Sequence, residues 1–242
     1  MKITDINTYS IEGKLKEPFW WGNGGNDKRS ATLVKIETDE GINGWGEGWG
    51  GVGLFKDMFN KAVMGKNPLE REKIWSDMFD ELNNPIIYPG IGGSAMSAID
   101  IALWDITGKK LGVPVSVLLG GKVKEKVHVY ATGLYYTRKN FNDEVNERIK
   151  EARKYEKNGF NAMKIKIGAL KVDEDLERVS KVKSSLNSNT MLSVDANQAY
   201  DLRTAKYVSD KLHEMNIFFF EEPIMGLDVE GYKELVRYSK VR

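Results

Sequence analysis

The chain has 242 residues, of which 41% are hydrophobic and 29% charged, as expected for a soluble globular protein of one or two domains. Lysine plus arginine (36) nearly balances aspartate plus glutamate (35), and the net charge of +1 argues against a nucleic-acid partner, which requires a clustered positive excess. The sequence has no cysteine, no apolar run of ~18 residues and no signal-peptide pattern, so we expect a cytoplasmic protein without disulfides, thiolate metal sites or a membrane span.

The first part of the chain begins with a predicted hairpin and a predicted loop. Residues 31–38 alternate between apolar and polar side chains, as a half-buried strand does, and residues 42–49 return as its partner after a turn. Residues 13–30 are rich in glycine and asparagine, and we interpret them as a long polar and aromatic loop that contains Trp20 and Trp21.

Two helices are predicted next. Asn67 and Pro68 supply a cap and a first-turn proline, so one helix should begin there. Residues 94–110 form the second, which Gly112 and Pro114 should end. Four positions of this second helix share one face: Ala98, Ile101, Ala102 and Asp105.

From residue 127 onward, short apolar runs alternate with charged amphipathic stretches. The apolar runs are residues 127–131, 163–167, 191–194 and 217–220. The amphipathic stretches cover about 142–158, 172–186, 201–215 and 228–239. Strands separated by crossover helices predict a parallel sheet, so the fold class is α/β.

Charged residues follow three successive predicted strands, as Lys164-Ile-Lys166, Asp195-Ala-Asn197 and Glu221-Glu222-Pro223. Strand side chains alternate, so Lys164 shares a face with Lys166, and strand carboxyl ends carry the active sites of α/β proteins. Taken singly, these segments are typical of a solvated face, a helix cap and a loop start. Together they favour a carboxylate or metal site, and oxygen ligands suit Mg²⁺ or Mn²⁺. The pattern alone leaves both interpretations open.

At these residues the sequence resembles the enolase superfamily, in its mandelate racemase / muconate lactonizing branch. The resemblance covers essentially the whole chain. It is carried by six segments in order: Gly93–Asp105, Leu111–Pro114, Leu118–Gly121, Lys164–Lys166, Val194–Gln198 and Phe220–Pro223.

The resemblance implies a two-part fold. An α+β capping domain, residues 1–122, should be followed by the first half of a TIM-type (β/α) barrel, residues 123–242, with barrel strands one to four. In this family, loops of the cap such as 19–27 and the glycine-rich stretch 47–53 shape specificity. Trp20 and Trp21 would then line a substrate pocket, although packing within the cap explains them equally well.

The resemblance also implies residue roles. Lys166 is similar to the base that removes the proton next to a substrate carboxylate, and Lys164 to the neighbour that stabilises that carboxylate. Asp195 and Glu221 correspond to two of three Mg²⁺ ligands. Asn197 is a candidate contact of the substrate or of a residue that touches it. A dication and an ammonium would offset the charge that builds up on the carboxylate during such a reaction.

The same resemblance implies groups that this sequence lacks. Barrel strands five to eight would carry a third metal ligand and further acid/base groups, and only 120 residues follow residue 122. We therefore expect a truncated or split-gene member, which would self-associate as a homo-oligomer or bind a chain that supplies the C-terminal half. The second copy or the complementing chain would also cover apolar residues of the half-barrel, namely Ile165, Ile167, Phe218 and Phe220.

Two functions remain open from the sequence. The first is an Mg²⁺-dependent enzyme that removes the α-proton of a small carboxylate such as a sugar acid. Glu-Glu-Pro at 221–223 resembles the mandelate racemase-type subgroup, and the likeness to its members with Lys-x-Lys, as at 164–166, favours an acid-sugar dehydratase over a racemase. The second is a catalytically inactive remnant or interaction subunit that keeps the N-terminal half of the fold.

Overall fold

The computed structural model describes residues 1–49, 53, 56–82 and 88–242. Its contacts divide these residues into two compact units, Met1–Lys14 with Lys28–Lys126 and Leu15–Asp27 with Val127–Arg242. The predicted domain division at residue 122 stays a prediction. In the described part of the chain, no helix is long and apolar enough to cross a membrane.

The first unit pairs an antiparallel sheet with helices. Its elements are β3 (Gly44–Gly48), α1 (Lys56–Val63), α2 (Arg71–Leu82), α3 (Gly93–Leu111), α4 (Val115–Leu118) and most of β1 (Ile3–Trp21) and β2 (Gly24–Thr38). The tip of the β1–β2 hairpin, Leu15–Asp27, belongs to the second unit. The strand order is β1-β2-β3, so the predicted hairpin between residues 31 and 49 is confirmed as β2 paired with β3. Residues 50–52 of the predicted glycine-rich cap loop lie outside the described residues.

Helix α3 lies directly on β3, because β3 carries glycine where a side chain would collide. A Cβ on Gly44 would lie 2.0 Å from the Ala102 carbonyl oxygen, and a Cβ on Gly46 would lie 1.9 Å from that of Ala98. Ala98 and Ala102 are fully buried, whereas Ile101 is exposed although it was predicted on the same face. The helix ends as predicted, with Gly112 in the left-handed conformation (φ 67°).

The helix predicted to begin at Asn67 begins four residues later, at Arg71. The Asn67 side chain accepts a hydrogen bond from the Leu69 amide, and the Asn67 carbonyl accepts one from Glu70. Asn67 therefore closes a separate turn, and the cap signal marks this turn rather than the helix.

The second unit contains the parallel sheet. Its elements are β4 (Ala131–Thr132), α5 (Phe141–Lys157), β5 (Ala162–Lys166), α6 (Val172–Ser185), β6 (Met191–Asp195), α7 (Leu202–Glu214), β7 (Phe220–Glu221) and α8 (Val229–Tyr238). The strand order β4-β5-β6-β7 is parallel throughout. The predicted fold class, an α+β cap followed by half of a TIM-type barrel, is confirmed.

Predictions for two strands and one loop are wrong. The fourth strand, β7, occupies residues 220–221 rather than 217–220. The first strand occupies residues 131–132 rather than 127–131, because only Ala131 and Thr132 pair with β5. Residues 13–30 are not a loop: β1 and β2 run through them and turn at Gly22 and Asn23. This hairpin tip is held by long-range pairing, since Trp20 and Tyr136 exchange backbone hydrogen bonds of 3.0 and 2.9 Å.

The apolar faces expected to need a partner are mostly covered within the chain. Ile165, Ile167 and Phe220 belong to the buried core that the strands share with the helices, while Phe218 stays 40% exposed. Alternation explains this result, because Ile165 faces the helix layer when the neighbouring Lys164 and Lys166 face the other side of the sheet. These residues therefore give no support to self-association, which stays a prediction.

Candidate active site

The charged residues predicted as a site come together at the carboxyl ends of β5, β6 and β7. Strand register places them there, since Lys166 pairs with Asp195 across β5 and β6, and Asp195 pairs with Glu221 across β6 and β7. Parallel strands in register end at one edge of the sheet. One edge therefore carries two ammonium groups and two carboxylates.

Lys166 makes the shortest of these contacts. Its Nζ donates to Asp195 Oδ2 at 2.6 Å and to Asn197 Oδ1 at 2.9 Å. The backbone amide of Asn197 donates to the other Asp195 oxygen at 2.9 Å. Lys166 and Asp195 are 6% and 1% exposed. The pair is thus removed from solvent, and both partners have further hydrogen bonds.

Lys164 bridges the two acids. Its Nζ lies 2.8 Å from Glu221 Oε2 and 3.2 Å from Asp195 Oδ2. Burial lowers the pKa of Lys164, but the hydrogen bond to Glu221 and the charge of Asp195 outweigh it, so the pKa is raised. Burial would raise the pKa of Asp195, yet hydrogen bonds from Lys166 and Asn197 and both lysine charges lower it. The site therefore favours the charged forms of Lys164 and Asp195.

The structure adds aromatic faces that the sequence did not reveal. Lys164 Nζ lies 5.8 Å from the ring centroid of Tyr130, and Lys166 Nζ lies 5.4 Å from that of Tyr135. Both distances fall within the range of cation–π attraction. The sequence did not reveal them because the first strand was predicted at residues 127–131. The observed strand, β4, lies between Tyr130 and Tyr135.

The residues after β6 and β7 form a polar cluster in an unusual backbone conformation. Asn197, Gln198 and Glu222 have φ of 45°, 65° and 43°. The Glu222 carboxylate accepts hydrogen bonds of 3.3 Å from the side-chain amides of Asn197 and Gln198. The Glu222 backbone carbonyl accepts one of 2.7 Å from the backbone amide of Gln198. Glu222 therefore serves the turn after β6 rather than the pair of acids. The sequence did not reveal this role, since left-handed backbone outside glycine has no simple pattern.

Trp20 and Trp21 lie in the tip of the β1–β2 hairpin, which belongs to the second unit. The two rings contact different residues. The Arg138 guanidinium lies 4.6 Å from the Trp20 ring centroid. The Trp21 ring lies 6.0 Å from that of Phe19, which in turn lies 4.5 Å from the Tyr135 ring. The tip also approaches the turn after β6, because Asn23 Nδ2 donates to the Asn197 carbonyl at 2.8 Å.

The donor set fits a hard cation in part. Asp195 and Glu221 offer carboxylate oxygens on adjacent strands, and the positive Nζ of Lys164 already lies between them. Mg²⁺ is commonly held by one or two carboxylates together with water. Within the described ranges, no cluster of three or more His, Cys, Asp or Glu residues suited to a metal ion is present. Asp195 and Glu221 are the two carboxylates that Lys164 joins at this edge, and their role as metal ligands stays a prediction.

Comparisons with known proteins agree with this architecture. Residues 4–120 match the family model "Mandelate racemase / muconate lactonizing enzyme, N-terminal domain", and residues 147–242 match "Enolase C-terminal domain-like". D-galactarolactone cycloisomerase of Agrobacterium fabrum is 35% identical over 96% of this chain and 61% of its own length. Arabinonate dehydratase of Saccharolobus solfataricus is 32% identical over 92% of this chain and 61% of its own length.

A solved structure shows the same fold. The dipeptide epimerase from Enterococcus faecalis, complexed with Mg and the dipeptide L-Leu-L-Tyr, superposes with a TM-score of 0.83 at 29% identity and covers 100% of this chain and 66% of its own. The chain spans about three fifths of the length of the curated relatives named above. Relatives include dehydratases, cycloisomerases and racemases. The chain belongs to the mandelate racemase / muconate lactonizing branch of the enolase superfamily.

Proposed function

We propose that this chain carries the proton-abstracting part of an Mg²⁺-dependent enzyme that acts on a small carboxylate, with acid-sugar dehydration as the reaction. One observation carries the proposal: Lys164, Lys166, Asp195 and Glu221 meet at the carboxyl edge of a parallel sheet, with ion-pair distances of 2.6–3.2 Å. Racemisation of such a substrate begins with the same step and is the alternative outcome.

Lys166 is the proposed base. Its Nζ takes the proton from the carbon next to the substrate carboxylate, and the electron pair of the broken C–H bond moves onto the carboxylate. In dehydration, the hydroxyl on the neighbouring carbon then leaves as water with the proton that Lys166 took up. Racemisation instead needs a second acid, which returns a proton to the opposite face of the carbon. Lys164 lies on the same face of β5 and offers its ammonium to the carboxylate, where negative charge builds up.

Asp195 and Glu221 are the proposed ligands of Mg²⁺, with Mn²⁺ as the substitute. A dication at this position supplies positive charge that offsets the developing charge on the substrate. The Enterococcus faecalis epimerase that shares the fold is complexed with Mg, which supports this assignment. Oxygen donors and the absence of cysteine also suit a hard cation.

A sugar acid is the proposed substrate class. The Lys164 ammonium suits an anionic substrate, and several relatives are named for sugar acids or their lactones, among them the arabinonate dehydratase and the D-galactarolactone cycloisomerase. Asn197, Trp20 and Trp21 are proposed to contact the substrate. For Asn197, the bond from its Nδ2 to Glu222 and the bond from Lys166 to its Oδ1 point to a role beside the base.

Exchange of the α-proton into deuterated water tests the proposal. With a panel of sugar acids, we expect exchange that requires Mg²⁺ and falls about 10²–10⁴-fold in Lys166→Ala. Lys181→Ala is the matched control, since Lys181 is an exposed lysine on α6 of the same unit. Exchange that survives in Lys166→Ala at the parental rate removes the base assignment.

An interaction subunit without catalysis is the second candidate. The observation in its favour is that two lysines and two acids neutralise one another within the site, as a retained structural cluster would. Calorimetry distinguishes the two functions. A chain that binds Mg²⁺ and a sugar acid together, and then exchanges the α-proton of that acid, supports the enzyme. A chain that binds neither Mg²⁺ nor a sugar acid supports the interaction subunit.

A further inference from the structure

Arg178 on α6 is buried completely, and it joins the end of β5 to the turn after β4. Its Nη1 donates to the backbone carbonyl of Lys166 at 2.6 Å, and its Nη2 donates to that of Leu134 at 2.9 Å. One planar group therefore sets the distance between two backbone segments, of which the first carries Lys166.

The charge of Arg178 is compensated at the same place. Arg178 Nη2 also lies 3.2 Å from Glu144 Oε1, and the guanidinium carbon lies 4.2 Å from the centroid of the Tyr136 ring. The second oxygen of Glu144 accepts a hydrogen bond from the Thr137 amide at 3.0 Å. Arg178 and Glu144 thus hold the turn of residues 134–137 from both ends.

Further charged side chains of α5 hold the middle of this turn. Glu151 accepts from the Leu134 amide at 3.1 Å, and Arg148 donates to the Tyr135 carbonyl at 2.5 Å. Leu134 has a left-handed backbone with φ of 53°, which a non-glycine residue adopts only where its surroundings enforce it. The result of this anchoring is the position of Tyr135, whose ring lies 5.4 Å from Lys166 Nζ.

Stability alone does not explain such a network. Burying an arginine–glutamate pair costs desolvation free energy, and apolar residues of similar volume commonly stabilise a core as well or better. What the guanidinium adds is geometry, because its rigid fork of donors binds two carbonyls and a carboxylate at once. A lysine ammonium offers one flexible point of attachment instead.

We infer that Arg178 is a positioning residue, which keeps the backbone of Lys166 and the ring of Tyr135 in a fixed relative position. The inference rests on the proposed function for its catalytic consequence. It assigns Arg178 no contact with substrate; the arginine acts through the two carbonyls that it holds.

Hydrogen–deuterium exchange of the full chain tests the positioning directly. In Arg178→Lys, we expect amide exchange to rise about tenfold in peptides covering 133–137 and 164–168 and to stay unchanged in the core of α7. Arg237→Lys, at an exposed arginine on α8, should change none of these peptides. Should Arg178→Lys fail to fold, Glu144→Gln removes the compensating charge and should loosen the same two segments to a smaller degree.

Turnover supplies the second readout. We expect Arg178→Lys to lower kcat for α-proton exchange by about 10²-fold, the effect of a small misplacement of reacting groups, while KM stays within about threefold. Amide hydrogen–deuterium exchange that rises evenly over the whole second unit, or that rises in neither of the peptides 133–137 and 164–168, overturns the inference. A parent chain that turns over no sugar acid, together with local loosening in Arg178→Lys, refutes the proposed function and upholds the positioning.

Discussion

The ammonium of Lys166 and the carboxylate of Asp195 lie 2.6 Å apart across two parallel strands, and both side chains are buried. The contact depends on register, because Lys166 of β5 pairs directly with Asp195 of β6. A slip of one residue would place Val194 or Ala196 opposite the lysine and turn the carboxylate to the other face of the sheet. The register of the sheet therefore determines the charge arrangement of the site.

Removing one charge from this buried group should be costly. Asp195→Asn leaves two largely buried ammonium groups with Glu221 as the remaining acid in contact with Lys164, and we expect the free energy of unfolding to fall by about 3 kcal/mol. Urea denaturation followed by circular dichroism measures the change.

The control for this experiment is Asp173→Asn, at an exposed aspartate in the first turn of α6, which should cost less than about 1 kcal/mol. The double variant Asp195→Asn with Lys166→Met should recover part of the loss, since it removes one of the unpaired ammonium groups. Equal stability of the parent and Asp195→Asn would contradict the buried ion pair.

Close packing of α3 on β3 gives a second prediction, in the first unit. Gly46→Ala places a Cβ 1.9 Å from the Ala98 carbonyl oxygen, so helix and strand must separate, and we expect a loss of about 1–3 kcal/mol in the free energy of unfolding. Gly13→Ala is the matched control, because a Cβ on Gly13 meets no atom within 4 Å. Thermal denaturation of both variants checks the prediction, and a parental melting temperature for Gly46→Ala would refute it.

The helix cap at Asp201 predicts a pH dependence. The Thr204 backbone N–H donates to the Asp201 carboxylate at 2.7 Å and lowers the pKa of that group. A carboxyl with a lower pKa in the folded chain stabilises the fold above its ordinary pKa of about 4, and this contribution disappears as the pH falls through the lower, folded-state value.

Asp201→Asn isolates this effect, because asparagine also caps helices but does not titrate in this range. At neutral pH we expect the parent to melt at a slightly higher temperature than Asp201→Asn. The difference between the two melting temperatures should narrow as the pH is lowered below about 4, because Asp201 then becomes protonated. Every other carboxyl is shared by the two proteins and affects both alike. A difference that stays constant between pH 7 and pH 3 would rule out the proposed origin.

Local patterns predicted much of the second unit. Apolar runs that end in charge located β5 and β6 to within a residue or two, and amphipathic stretches located α5 to α8. Lys164, Lys166, Asp195 and Glu221 could be predicted as neighbours because alternation and a parallel sheet bring strand ends together. The misplaced β4 and the hairpin tip at residues 13–30 show the limit of such patterns. Both depend on pairing with distant residues, Met163 and Tyr136 respectively.

By itself, the sequence determined the class of the fold, the order of its strands and helices, and which charged residues end them, because these follow from side-chain period and chemistry along a short stretch of chain. Only the tertiary structure decided which lysine bridges two acids, that Glu222 holds the turn after β6, and that Arg178 joins Lys166 to the turn beneath Tyr135. These relationships join residues between 12 and 57 positions apart. Register, buried hydrogen bonds and left-handed backbone create them, and each of these arises only when the elements pack together.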